Sequence, residues 1–260
     1  KDTTLHAGRN ILMPAFTTGN INVSYKSNTD LLTDIDKQSE LFIVNEIQKR
    51  YPDHSIIAEE GSGSENNSDF VWFIDPIDGT NNFAHGIPHF AVSVAVYSKM
   101  NEAIAGCVYA PCVNAIFYAA KDKGAWCNGK RIAVSDMERL DCSMVFSGFP
   151  YEKNNATYNN ITQAASIIPY IQAFRRFGAA SLDLCAVAVG RCEAYWEPFL
   201  KPWDMAAGML ILREAGGTVS DYRGNPTGPF TRECVASNGS VHNQILALLQ
   251  KSTKEYPNDR

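Results

Sequence analysis

FVWFIDPIDGTNNF, residues 70–83, is the stretch from which the rest of this chain is read. Phe70 to Ile74 is a compact apolar run, the pattern of a buried strand. It ends at Asp75, and Pro76 interrupts regular pairing because it has no N–H to give a ladder and its ring fixes φ. Asp78 follows three residues after Asp75, with Gly79-Thr80 directly behind it. Two carboxylates thus leave one strand end at a sharp turn into the same space, and unpaired carboxylates held close shift each other's pKa. A divalent cation between them removes that conflict. Gly79 lets the backbone approach a ligand closely, and the N–H groups of Gly79 and Thr80 suit an anion if a helix starts there. Carboxylates for a cation beside amides for an anion are the layout of metal-assisted phosphate chemistry. The same D-P-x-D-G letters also make a plain turn, with Asp for Asx-turns, Pro to set φ and Gly for positive φ. The short motif alone does not choose between the two.

Upstream, residues 3–18 read as helix, with Lys1 as the truncated edge of a longer one, and Val23 to Lys26 as a short strand. Thr33 is an N-cap for a helix through Arg50, since Ile35, Phe42, Ile43 and Ile47 fall near helical spacing and Pro52 marks the stop. Asp34 and Asp36 lie in its first turn, where acids normally answer the helix dipole. Ser55 to Ala58 is a buried strand running into Glu59-Glu60-Gly61 and a polar loop. Adjacent glutamates are usually solvated charge. If this strand neighbours the one at Phe70, however, Glu59 faces the Asp75–Asp78 pair.

Downstream, residues 90–132 are strand-rich with connections too short for crossovers, hence antiparallel, and include an Asn128-Gly129 turn. His85 and His89 are separated by Gly86 and Pro88, share no helix face, and read as structural or surface. Val134 to Asp141 turns polar and marks a boundary. It divides residues 1–135, an N-terminal α+β half with an antiparallel sheet and the carboxylate motif, from residues 136–260, a C-terminal α/β half, with the active site between them. In the second half, strands at Met144–Ser147, Ile171–Arg176 and Cys192–Glu197 alternate with helices at Tyr158–Ile168 and Ala180–Val189. Gly178-Ala179-Ala180-Ser181 puts small residues at a strand-to-helix turn, which suits either close approach to a ligand or tight helix packing. A helix opens at Trp203-Asp204 and runs through Glu214 to Gly216-Gly217. Asp204 there is either a dipole-compensating acid or, after the apolar Leu200-Lys-Pro-Trp203, a functional one. A strand at Cys234–Ser237 and a helix to about Lys251 close the pattern.

Of the 260 residues, 45% are hydrophobic and 20% charged, an ordinary globular mix, and the net charge of -5 leaves no electrostatic footprint for direct nucleic-acid contact. No apolar run is long enough to span a bilayer, and KDTTLHAGRN does not read as a signal peptide. Cys107, Cys112, Cys127, Cys142, Cys185, Cys192 and Cys234 lack close pairing and read as reduced thiols of a cytoplasmic protein rather than a soft-metal site.

Three motifs in one order carry a resemblance. Asp75-Pro-Ile-Asp-Gly-Thr-Asn-Asn-Phe83, Trp203-Asp-Met-Ala-Ala-Gly208 continuing to Glu214-Ala-Gly-Gly217, and Glu59-Glu60 are similar to the signatures of the inositol monophosphatase family of magnesium-dependent, lithium-sensitive phosphatases. The likeness runs from about Gly8 to Leu249 and is nearer to bacterial members than to animal ones. It implies an α/β (α+β) fold, the layered α-β-α-β-α sandwich shared with fructose-1,6-bisphosphatase, and a homodimer. It implies up to three Mg2+ held by Glu59, Asp75, the Ile77 carbonyl, Asp78 and Asp204. Asp36 and Thr80, with Glu59 helping, would hold and polarise the attacking water. The phosphate would bind at Gly79 and Thr80, and the alcohol part of the substrate at Gly178, Ala179, Ala180 and Glu197. Lys26 falls near a family lysine close to the phosphate, one residue closer to Asp30 than in the animal enzymes.

The expected reaction is hydrolysis of a phosphate monoester by direct attack of a metal-activated water, since no Ser, Cys or His is arranged as a nucleophile. Acceleration of monoester hydrolysis reaches ~10²¹-fold, and side-chain proton transfer supplies only about 10²–10⁴ of it, so cations must carry most. Inositol 1-phosphate leads the substrates implied, ahead of fructose 1,6-bisphosphate, histidinol phosphate and adenosine 3′,5′-bisphosphate. A different class also follows from bacterial relatives, namely a binding partner of the transcription machinery.

Overall fold

The computed structural model describes residues 1–25, 31–150 and 159–252. Lys26 and Tyr158, an expected strand end and an expected helix start, lie outside the described residues. Residues 2–18 are helical throughout, as α1 (Asp2–His6), a π-helical stretch over Ala7–Leu12, and α2 (Met13–Thr18), which Gly19 closes at a φ of 68°. β1 (Val23–Tyr25) pairs antiparallel with β2 (Leu31–Thr33). α3 (Asp34–Arg50) then starts at Thr33, whose hydroxyl accepts from the Asp36 N–H while the Asp36 carboxylate accepts from the Thr33 N–H.

Seven strands follow one another in space as in sequence: β3 (Ser55–Ala58), β4 (Phe70–Asp78), β5 (Ala91–Ser98), β6 (Ala103–Ala110), β7 (Ala115–Ala120), β8 (Ala125–Cys127) and β9 (Lys130–Ile132). β3 and β4 are parallel and the remaining neighbours antiparallel. The second sheet has the order β11 (Ala173–Arg175), β10 (Met144–Ser147), β12 (Ala194–Pro198), β14 (Glu233–Ser237), β13 (Thr218–Ser220). β10 is parallel to both its neighbours, and β14 is antiparallel to both of its own. β13 was not expected from the sequence. The helix expected to begin at Tyr158 is described as α5 (Ile161–Ile167). α4 (Thr80–Ala84), α6 (Ala180–Ala188), α7 (Pro202–Glu214) and α8 (His242–Ser252) complete the elements.

Side-chain alternation sorts these elements into five layers. On β5, Val92 and Val94 pack with Leu12, Ile43 and Val44 of the N-terminal helices, whereas Ala91, Ala95 and Tyr97 face Leu184, Met209 and Leu212 of α6 and α7. On β12, Tyr195 faces α6 and α7, while Ala194 and Trp196 pack with Ile167 of α5 and Ile245 of α8. The order is helix, sheet, helix, sheet, helix, as the resemblance implied. α6 and α7 form the middle layer, and α7 is buried from Met205 to Leu212 for that reason.

One local departure positions the site. β4 does not stop at Asp75: pairing passes from Asp75↔Ser93 to Asp78↔Ala91, so β4 carries one extra residue around Pro76-Ile77. In a regular strand, residues three apart point to opposite faces. The bulge cancels the odd spacing and brings Asp75 and Asp78 to the same side.

The middle layer is packed with no slack. A Cβ on Gly208 of α7 would lie 2.7 Å from Leu184 Cβ and Cδ1 of α6, and one on Gly106 of β6 would lie 3.0 Å from Ala207 Cα. Gly208→Ala is therefore expected to force α6 and α7 apart and to destabilise by about 1–3 kcal/mol, read as a lower urea midpoint at unchanged slope. An unshifted midpoint would show that the two helices are free to slide.

Candidate functional site

The residues singled out in the sequence come from six places and meet where the two sheets approach the middle layer. β3 lies parallel to β4 with Ala58 opposite Ile74, and the Glu59 N–H donates to Ile74 O at 3.1 Å, which sets Glu59 beside Asp75. Asp204, in the first turn of α7, lies within electrostatic reach of Glu59, Asp75 and Asp78. Gly79, at a φ of 95°, starts α4, and a Cβ there would lie 3.1 Å from His89 O, 3.3 Å from Gly178 O and 3.4 Å from Ala179 Cβ. The Asp78-Gly79 turn and the Gly178-Ala179 turn are thus in contact across about a hundred residues of sequence, and a side chain at Gly79 would be both crowded and strained.

Burial raises the Asp75 carboxyl well above the usual range, with Glu59, Asp78, Asp204 and Asp36 adding to the effect. Asp204 is raised by burial and by Glu59, against a hydrogen bond from the Lys201 N–H at 2.7 Å. Asp78 is pushed up to about 6 by burial, opposed by hydrogen bonds from Ser181, Ala180 and Leu182. Asp75 thus lies near four other acids, each of which raises it. Asp75 Oδ1 is buried and without a hydrogen-bond partner. Yet among the described residues no three acidic, His or Cys side chains already converge as a metal-binding group. The reason is visible in their partners: Asp78 is turned onto α6, and Asp204 is turned back onto its own helix start.

Asp36 and Thr80 do meet. The Thr80 hydroxyl lies 3.1 Å from Asp36 Oδ1 and 2.9 Å from Ile77 O. Asp36 is fully buried and serves the α3 cap at the same time, so its position in a first turn and its place in the site are one arrangement. Asp34 does more than answer the dipole, because it accepts from the Asn22 N–H and Nδ2 at 3.1 and 3.0 Å. Glu197, half-buried on β12, accepts from the Tyr195 hydroxyl at 2.7 Å, and a Cβ on Gly148 would fall on its carboxylate. His89 stacks on Phe177 with ring centroids 4.9 Å apart.

Several residues escaped the sequence reading. Glu40, fully buried, accepts from the Glu60 and Ser62 N–H groups at 2.7 and 2.8 Å and so holds the loop that carries Glu59. Its signal was present: Asp36, Ser39 and Glu40 make a polar patch on the same helix face as Ile43 and Ile47. Asn82 Nδ2 donates to both His89 O and Phe177 O at 2.8 Å, clamping the two turns together. Asp183 on α6 is buried with neither oxygen partnered, and burial raises it strongly, with Glu197 and Asp78 adding to the effect and Arg176 opposing it. Ser181 gives its hydroxyl and N–H to Asp78. All seven cysteines are free, with Cys107, Cys185, Cys192 and Cys234 buried. No described helix is long and apolar enough to cross a membrane.

Comparison with known proteins points one way. The inositol monophosphatase family model matches residues 3–254. The chain is 42% identical over 239 residues to the chloroplastic phosphatase IMPL1 of Arabidopsis thaliana, covering 90% of this chain and 64% of that protein's length. It is 40% identical over 231 residues to the Nus factor SuhB of Pasteurella multocida, covering 88% of this chain and 86% of the relative. Among solved structures, the inositol monophosphatase of Anabaena (Nostoc) sp. PCC 7120 superposes with a TM-score of 0.86 at 34% identity, covering 96% of this chain and 93% of that one. The bulged strand with its paired aspartates, the five layers and a match over nearly the whole length agree: this chain belongs to the inositol monophosphatase family.

Proposed function

We propose that the chain is a Mg2+-dependent phosphate monoester hydrolase acting on inositol 1-phosphate. The observation that carries this reading is the buried group of mutually repelling carboxylates around Asp75, whose Oδ1 has no partner. Glu59, Asp75, Asp78, Asp204 and the Ile77 carbonyl offer only hard oxygens, which fits Mg2+ and not a soft metal. A cation held there would supply Lewis acidity toward water and toward the phosphate oxygens. Thr80 and Asp36 would hold the attacking water, a reading supported by the hydrogen bond from the hydroxyl of one to the carboxylate of the other. The first-turn N–H groups of α4 have no intrahelical acceptor and suit the phosphate.

Glu197 and the Gly178–Ala180 turn would face the alcohol. Glu197 is pushed up to about 7 by burial, against the Tyr195 hydroxyl and Arg176. Near neutral pH it is divided between carboxylate and acid, so it can accept from one polyol hydroxyl or donate to another. That favours a polyol ester over a flat aromatic one. A second reading rests on the SuhB-named relative at 40% identity: the chain is also a partner of transcription components.

Asp78→Asn is expected to cut kcat/KM on inositol 1-phosphate by at least ~100-fold at saturating Mg2+, with circular dichroism unchanged. Wild-type turnover in that variant would falsify the site. Tested against fructose 1,6-bisphosphate, histidinol phosphate and adenosine 3′,5′-bisphosphate, the wild type should show its highest kcat/KM with inositol 1-phosphate; a clear winner elsewhere replaces the substrate but not the chemistry.

Glu197 ionises near 4.5 in the unfolded chain and near 7 in the folded one. Between those values the unfolded chain holds fewer protons, so this group lowers stability as pH rises from 4.5 through 7. Relative to wild type, Glu197→Gln should gain stability over that window and keep the gain above it, on the order of 1–3 kcal/mol. Urea melts in EDTA at several pH values measure the difference, and a pH-independent offset would contradict it. For the partner reading, Asp204→Asn should still capture polymerase-associated proteins that the wild type captures; loss of capture with loss of activity would tie binding to catalysis instead.

A further inference from the structure

Asp78 is engaged twice over. The proposed function gives its carboxylate to a cation beside Asp75 and Glu59. The structure has both of its oxygens on the first turn of α6, 102 and 103 residues further along the chain. Oδ1 accepts from the Ala180 N–H at 3.0 Å, and Oδ2 accepts from the Ser181 N–H at 2.7 Å and from the Ser181 hydroxyl. Each carboxylate oxygen has two acceptor positions. Oδ2 is therefore filled, and the Leu182 N–H adds to the hold on the carboxylate. These are charge-assisted bonds between buried groups at the positive end of a helix, the setting in which such bonds are strongest.

The donors differ in kind. The amides are fixed by the start of α6. The Ser181 hydroxyl can rotate away, and it is the donor that completes Oδ2. They also share an address: Ala180 and Ser181 continue the Gly178-Ala179 turn, which touches Gly79 at the phosphate end of the site. The donors that hold Asp78 are thus placed where the alcohol part of a phosphate monoester would need them.

We propose that Ser181 is a latch on Asp78. Its hydroxyl, with the Ala180 and Ser181 amides, holds the carboxylate against α6 when no cation is bound. Asp78 must release these donors to turn toward Asp75, and the released donors then become available to the substrate's alcohol. Cation affinity and alcohol affinity are coupled positively through one carboxylate, and the Ser181 hydroxyl sets the size of the coupling. The inference rests on the Mg2+-dependent reading above and assigns a positioning residue that lies outside the expected ligand set. The alternative is a static tie, in which Asp78 merely staples α6 to the end of β4.

Calorimetric titration of the full chain with Mg2+ alone, wild type against Ser181→Ala, separates the two. A latch predicts tighter Mg2+ binding by the variant, by about tenfold, because a hydrogen bond to a charged group no longer competes. Ser181→Cys, close in volume and a weaker donor, should fall between. Thermal melts give an independent readout: Ser181→Ala should melt below wild type in EDTA and level with it in saturating Mg2+. Addition of myo-inositol should show binding strengthened by Mg2+ in the wild type and less so in Ser181→Ala. Equal Mg2+ affinity in both, with the same melting deficit in EDTA and in Mg2+, would overturn the latch and leave the metal reading standing. Absence of Mg2+ binding by the wild type itself would instead overturn the metal reading, and the latch with it.

Discussion

Like charges pressed together out of water set the terms for this fold. Asp75, Asp78 and Asp204 are raised by burial and, for Asp75 and Asp204, by Glu59 and Asp78 as well. Buried carboxylates destabilise a folded chain unless hydrogen bonds or a cation answer them. The surrounding structure answers most of them with N–H groups. Glu40 takes two, Asp204 takes the Lys201 N–H, Asp36 takes the Thr33 N–H, and Asp78 takes the start of α6. Asp75 is the exception at Oδ1, and it sits where the repulsion from the others is concentrated.

What makes this crowding tolerable is rigidity. The β4 bulge sets the two aspartates on one side, and α6 and α7 are locked at Gly208 with no room for a methyl group. Asn82 then fixes the lateral distance by clamping His89 O and Phe177 O with a single amide nitrogen. Packing on both faces of the first sheet supplies the apolar burial that offsets the electrostatic strain. Holding these acids out of water is costly, and burial accordingly raises the Asp75 and Asp204 carboxyls.

Much of this was legible before any coordinates. Turn chemistry is local, so Asp75-Pro-Ile-Asp-Gly puts two carboxylates at one strand end without choosing between a plain turn and a site; caps are local, so Thr33 and the Asp36 that answers it fix the start of α3. The apolar runs at β5 and β12 read as strands, without showing which layer each of their faces meets. What stayed hidden depends on partners distant in sequence. Nothing near Ser181 announces Asp78, and nothing near Asn82 announces Phe177. The extra residue in β4 was equally unreadable, since Pro76 signals an interruption without saying whether the strand ends or bulges. Glu40 was the one omission with a visible signal, a polar residue continuing an apolar helix face.

Asp183 shows how the same logic extends beyond the ligand set. It lies on α6 two residues past Ser181, buried, its oxygens unpartnered, within electrostatic reach of Glu197 and Asp78. An ionised Asp183 would add a further negative charge behind Asp78 and favour its hold on the α6 amides less, because the helix start would be partly neutralised. A protonated Asp183 leaves the positive end of α6 at full strength. Burial drives it toward the protonated form, so the donors that face Asp78 keep their pull. The burial that raises Asp183 thus works in the same direction as the Ser181 hydrogen bonds, against a second charge at the start of α6 that would weaken its hold on Asp78.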